Sequence, residues 1–197
     1  MGEHSHPVLL VLSGLSGAGK TTVALRLLAE NESLKRVVTC TTRAPREGES
    51  DGVDYHFFSD EEFSRRLAAD EFLENAEVYG QRYGTLRSAV GELLSAGRDV
   101  LLVNDVQGAV TISETAAADL ALGEALTTVF IEMGSLEELR QRLESRATDE
   151  PAVIEKRLAT AEGELARRDL FDHVVTSGTK EEDWRRVQEI YEQAKQG

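Results

Sequence analysis

The 197-residue sequence holds a single cysteine and three isolated prolines. It also has no apolar run approaching the ~20 residues that a membrane-spanning helix requires. One cysteine, Cys40, excludes an internal disulfide framework and any multi-cysteine metal site, as befits a reducing compartment, and it reads as a small core residue. The four histidines His4, His6, His56 and His173 show no metal-ligand spacing. Positive charge is scarce too: 22 Lys and Arg stand against 36 Asp and Glu, a formal net charge of −14. An acidic field repels nucleic acid and anionic lipid, so neither is an expected partner. The polar stretch Glu3-His4-Ser5-His6 lies where a signal peptide wants positive charge, and the protein is expected to be cytosolic. With no repeats, low-complexity tracts or Pro/Ser-rich linkers, the chain reads as one domain with its own core.

Glycine is placed where it matters. Gly14-Leu15-Ser16-Gly17-Ala18-Gly19-Lys20-Thr21 spells G-x-x-x-x-G-K-[ST] and follows the apolar run Val8-Leu9-Leu10-Val11-Leu12. Strand, glycine loop and helix in that order form a phosphate-binding loop. Successive backbone N–H groups face one anion, Lys20 reaches the outer phosphates, and the Thr21 hydroxyl can hold Mg²⁺. The helix beginning near Thr22 adds its positive end. A nucleoside triphosphate is the expected ligand, its phosphates held by Gly14 through Thr22.

Apolar runs at 8–12, 100–103, 127–131 and 173–176 alternate with helix-like stretches, which predicts an α/β fold, a parallel sheet covered by helices. Capping boxes at Ser59–Glu62, Ser135–Glu138 and Thr179–Glu182 mark helix starts. Residues 37–88 break the pattern with many Arg, Tyr, Gly and Thr, and read as an inserted substrate lobe. Residues 140–168 are helical in pattern and carry seven basic residues, among them Arg146 and Arg157; for most of them a solvated face with ion pairs suffices.

Several separated motifs in order resemble the guanylate kinase family of P-loop nucleoside monophosphate kinases. They are the loop at 14–21, Thr41-Thr42-Arg43-Ala44-Pro45-Arg46, Asp54-Tyr55, Glu71-Phe72-Leu73-Glu74, Tyr83-Gly84-Thr85, Asp105-Val106-Gln107-Gly108 and the arginine-bearing segment. The resemblance implies a core at 7–36, 89–135 and 169–197, a GMP-binding lobe at about 37–88 and a lid at about 136–168. It implies transfer of the γ-phosphoryl of ATP to GMP, with Mg²⁺. Thr39, Arg43, Arg46, Tyr55, Glu74, Tyr83, Thr85 and Asp105 would hold GMP. Lys20, Arg43, Asp105 and the lid arginines Arg146 and Arg157 would serve the transfer, and Ser177 would stand at the adenine side. The chemistry agrees: forked guanidinium groups suit a dianionic phosphate. A carboxylate suits the N1–H and 2-amino donors of guanine, and a hydroxyl suits its O6. No named contact needs the ribose 2′-OH, so dGMP is an expected acceptor as well.

The sequence departs from the family in places. Val103 stands two residues before Asp105, where the family usually has an acid. Strand alternation predicts that Asn104 points to the opposite face and cannot substitute. Thr176-Ser177-Gly178-Thr179 replaces an Asn-Asp pattern. These departures motivate a second reading, a sibling kinase of altered acceptor. A third, a non-catalytic guanylate-kinase-like binding domain, is disfavoured by the intact loop. The sequence leaves the oligomeric state open.

Overall fold

The computed structural model describes residues 6–78, 80–145 and 151–196. In chain order the elements are β1 (Leu9–Gly14), α1 (Lys20–Glu30), β2 (Leu34–Arg36), β3 (Cys40–Thr41), β4 (His56–Phe57), α2 (Asp60–Ala68), β5 (Phe72–Val78), β6 (Gln81–Leu86), α3 (Arg87–Ser95), β7 (Asp99–Val103), α4 (Val106–Ala117), α5 (Leu120–Ala125), β8 (Leu126–Glu132), α6 (Leu136–Ser145), α7 (Pro151–Leu165), β9 (His173–Thr176) and α8 (Lys180–Ala194). The expected α/β class holds. Each predicted apolar run falls on a strand, Val8 excepted, and the sequence reading missed the short β2 and all the strands of the 37–88 segment, β5 and β6 included.

Five strands form an all-parallel sheet in the order β2-β7-β1-β8-β9. The central strand β1 is buried along its whole length, which is why it reads as a continuous apolar run rather than an alternating one. Register pairs Leu12 with Val103 and Gly14 with Ile131, so β1, β7 and β8 end at one level. The chain leaves β1 toward β2 on one side while β8 lies on the other. Such a switch point opens a crevice beyond the carboxyl ends of the strands, where ligands bind in open α/β sheets.

A second sheet, ordered β4-β3-β6-β5, is built from the 37–88 segment. Cys40, Phe63 and Phe72 form its own small core, with the two rings stacked 4.4 Å apart. Phe72 lies flat on Gly84, where an added Cβ would come within 2.7 Å of the ring. Only glycine lets β6 pass so close. Helix α4 bridges the two sheets, packing on both β1 and β5.

At the opposite, amino-terminal edge of the large sheet, buried Asp99 gathers donors. Val8 N–H reaches Oδ1 at 2.9 Å, Tyr191 Oη reaches Oδ2 at 2.6 Å, and Lys195 Nζ lies 3.0 Å from Oδ2. One carboxylate thereby ties β1, β7 and the end of α8 together. The predicted caps are present: Ser59, Ser135 and Thr179 hydroxyls accept from the N–H groups of Glu62, Glu138 and Glu182, and only Thr179 has the full reciprocal box.

Candidate active site

The loop after β1 is shaped by its glycines. Gly14 has φ of 123°, and a Cβ there would lie 2.1 Å from the carbonyl oxygen of Ile131. Gly17 and Gly19 also adopt left-handed φ, and Gly19 leads straight into α1. Leu15 and Ala18 are buried and pin the loop to the core, whereas Ser16 is exposed. Lys20 folds back along the loop, its Nζ donating to Gly14 O at 2.7 Å and Leu15 O at 3.0 Å. Burial lowers its pKa, and the charges of Glu164 and Asp105 oppose that shift. Thr21 and Thr22 lie exposed in the first turn of α1.

Glu74 on β5 and Thr85 on β6 are cross-strand partners, both buried, and the Thr85 hydroxyl donates to Glu74 Oε1 at 2.6 Å. Burial raises the Glu74 pKa and the Asp105 charge adds to that, while Thr85 and the side chain of Asn104 favour the charged form. Gly108, in the first turn of α4, lies under this group. A Cβ there would be 3.1 Å from Glu74 Oε2, 3.2 Å from Asn104 Nδ2 and 3.3 Å from Asp105 Oδ1. Asp105 itself caps α4, accepting from Gly108 N–H at 2.7 Å.

This corrects one expectation. Asn104 is not turned away from the site. Strand β7 stops at Val103, so alternation no longer governs the next two residues, and Asn104 Nδ2 and Asp105 Oδ1 both converge over Gly108 beside Glu74. Val103 instead lines a cavity of about 320 Å³ walled by α1, the end of β7, Arg36, Thr39 and Tyr55, with Thr21 among its lining residues.

The expected phosphate-binding side chains are grouped but engaged. Arg43 forks onto Glu49 with two 2.9 Å bonds and donates to Ala44 O at 2.8 Å. Its guanidinium lies 5.5 Å from the Tyr55 ring, and Glu49 above all, with Tyr83 adding to it, holds its pKa up. The Tyr55 and Tyr83 rings meet edge to face at 6.2 Å. Arg46 has an exposed side chain, and its backbone N–H donates to Glu49 at 2.7 Å.

On the other side of the crevice, Arg157 is half-buried on α7, while Arg146 lies outside the described residues. Arg167, just beyond α7, donates to Gln107 Oε1 of α4 at 2.5 Å. Ser177 donates its hydroxyl to buried Asp183 at 2.8 Å, and its N–H goes to Glu132 O. The Ser177 hydroxyl hydrogen is therefore committed to α8, and only its lone pairs remain for another partner.

A family model described as guanylate kinase matches residues 6–194. A guanylate kinase of Thiobacillus denitrificans is 44% identical over 170 residues, covering 86% of this chain and 78% of that one. A guanylate kinase of Clostridium perfringens is 38% identical over 188 residues, covering 95% and 84%. The crystal structure of guanylate kinase from Anaplasma phagocytophilum superposes with a TM-score of 0.74 at 34% identity, covering 98% of this chain and 88% of that one. The chain belongs to the guanylate kinase family.

Within this guanylate kinase frame, sequence reasoning set Asn104 aside and passed over three residues that the fold brings to the crevice: Arg36, Glu49 and Glu164. Glu164 of α7 is a carboxyl whose pKa burial raises, with the Lys20 charge opposing the rise. Glu164 is far in sequence from the Lys20 it faces, whereas Glu49, six residues after Arg43, carried a local signal.

Proposed function

We propose that these residues carry the guanylate kinase reaction, transfer of the γ-phosphoryl of ATP to GMP, and to dGMP, with release of ADP. ATP-dependent phosphorylation of GMP is the reaction of the family to which the chain belongs. The observation that supports this division of labour is the position of Asp105, whose carboxylate acts on both Lys20 and Glu74. Phosphate loop and base pocket are thus electrostatic neighbours across one residue.

ATP phosphates settle on the N–H groups of residues 14–22, and Lys20 exchanges two neutral carbonyls for the outer phosphates. Thr21 fits Mg²⁺, which favours one protein oxygen with phosphates and water; the bound ion would neutralise charge on the phosphates. Thr39, Arg43, Arg46, Tyr55 and Tyr83 take the GMP phosphate, Arg43 leaving Glu49 for it. Glu74 accepts from guanine N1–H and the 2-amino group while the Thr85 hydroxyl turns from Glu74 to O6. AMP offers no such donors, so it would leave a buried carboxylate unpaired. Arg146 and Arg157 on a lid at about 136–168 would close over the phosphates, serving turnover more than affinity. The lobe at about 37–88 then forms the acceptor half, and the core at 7–36, 89–135 and 169–197 the donor half.

Among the described residues no helix is long and apolar enough to cross a membrane. Cytosolic nucleotides are the proposed partners, without nucleic acid. The test is product analysis with Mg·ATP against GMP, dGMP, AMP, CMP and UMP. Equal amounts of ADP and GDP with GMP, and the parallel result with dGMP alone among the others, are expected. ADP without a phosphorylated guanine nucleotide would refute the assignment.

A further inference from the structure

Glu74 is buried beside a second carboxylate, Asp105, and its two oxygens are held differently. Thr85 takes Oε1 at 2.6 Å. Oε2 faces the space over Gly108, where the Asn104 amide nitrogen and Asp105 Oδ1 converge. Of those two, only the amide can donate. Asn104 also carries a cost that an apolar residue would avoid, because its Oδ1 is buried with no hydrogen-bond partner. A polar side chain kept with one end unsatisfied, and the other beside a buried carboxylate, has a use for that second end.

We infer that Asn104 is a positioning residue for guanine selectivity: its amide fixes Oε2 of Glu74 so that this oxygen meets the 2-amino group of the base. The inference rests on the proposed reading of guanine by Glu74 and Thr85. It gives the two oxygens separate duties. Oε1, which Thr85 releases as its hydroxyl turns to O6, serves N1–H, which guanine shares with hypoxanthine. Oε2, steadied from the end of β7, serves the 2-amino group, which hypoxanthine lacks. Asn104 therefore separates GMP from inosine monophosphate, whereas Thr85 and Glu74 separate both from AMP.

The test is steady-state kinetics of the full chain and of Asn104→Leu, nearly equal in volume, with GMP and inosine monophosphate as acceptors. The leucine variant should raise KM for GMP about 10-fold, the order expected when one buried polar contact is misaligned. Its kcat, its KM for ATP and its KM for inosine monophosphate should stay within about 2-fold of the parent, so that the preference for GMP falls about 10-fold. Asn104→Gln, which keeps the amide, should restore part of the preference. If Asn104→Leu fails to fold, Asn104→Ala carries the same comparison. An unchanged preference, or an equal loss on both acceptors together with ATP, would overturn the inference while leaving the GMP assignment standing. A parent chain that does not turn over GMP at all would overturn both.

Discussion

The two edges of the parallel sheet each bury ionisable groups, and they treat them in opposite ways. At the amino-terminal edge, burial pushes Asp99 upward in pKa, yet Tyr191, the Val8 N–H, Lys195 and Ser33 outweigh it and the value is lowered. Its charge stabilises the fold. At the carboxyl-terminal edge, burial raises Glu74 and lowers Lys20, and their partners do not reverse either shift. There the charged forms are the strained ones at neutral pH. Of the three buried side-chain polar atoms without partners among the described residues, Ser13 Oγ and Asn104 Oδ1 lie at the same edge, and the third, Trp184 Nε1, belongs to α8. At Asp99 the fold satisfies a buried group that only has to hold it together, and at Ser13 and Asn104 it leaves atoms short of partners beside the place where substrates are to supply the rest.

The sharpest way to break this contrast is Lys20→Ala. The account expects turnover to fall at least about 10³-fold, as for loss of a charge that faces the transferred phosphoryl group, while the unliganded melting temperature holds or rises. A large fall in melting temperature would move Lys20 to the structural class. Asp99→Ala should do the reverse. It strands Lys195 and the Tyr191 hydroxyl and should cost about 3–5 kcal/mol in denaturant unfolding, with kcat/KM of the folded fraction unchanged. Loss of activity without loss of stability would erase the distinction between the edges.

Acid sharpens it further. Because the folded pKa of Asp99 is lowered, its stabilisation is present above the unfolded aspartate value of about 3.9 and is lost as pH falls toward the folded value. Glu74 has the opposite sign: its raised folded pKa means that stability is greatest with the group protonated and declines as pH climbs through the unfolded glutamate value toward the folded one. Asp99→Asn should therefore flatten the acid limb of a stability profile, and an unaltered limb would show that other carboxylates carry it. The smallest effect is expected from Val103→Asp. That change adds a carboxylate to the wall of the 320 Å³ cavity beside Thr21 and should shift the Mg²⁺ titration of activity to lower concentration by a few fold. An unchanged titration would show that Asp105 and water suffice.

How much of this was legible in the sequence depended on how local the chemistry is. The phosphate loop is written in eight consecutive residues, because glycine φ angles and a strand-to-helix turn are local demands. The strands β1, β7, β8 and β9 were readable as apolar runs. Glu74 and Thr85 came only through resemblance to a family, since nothing near either residue says that β5 and β6 pair them. Asn104 was misread for a physical reason: alternation was carried past the end of β7, where Asn104 and Asp105 converge over Gly108 and β5 brings a buried carboxylate beside them. Glu49 as the resting partner of Arg43, and Ser177 committed to Asp183, likewise depend on turns and caps that compete for the same hydrogen bonds. The Asp99 cluster joins residues 8, 99, 191 and 195, and no window of sequence contains it.

The most direct measurement is Glu74→Gln, with unliganded melting temperature and kcat/KM for GMP determined on the same preparation. The account predicts opposite signs. Removing a strained buried charge should raise the melting temperature by about 2–4 °C, equivalent to about 1 kcal/mol in a chain of this size. Replacing one acceptor oxygen by a donor facing guanine's own donors should cost about 2–3 kcal/mol in kcat/KM. A variant that melts lower while keeping its GMP activity would contradict both the base-reading role of Glu74 and the contrast between the two edges.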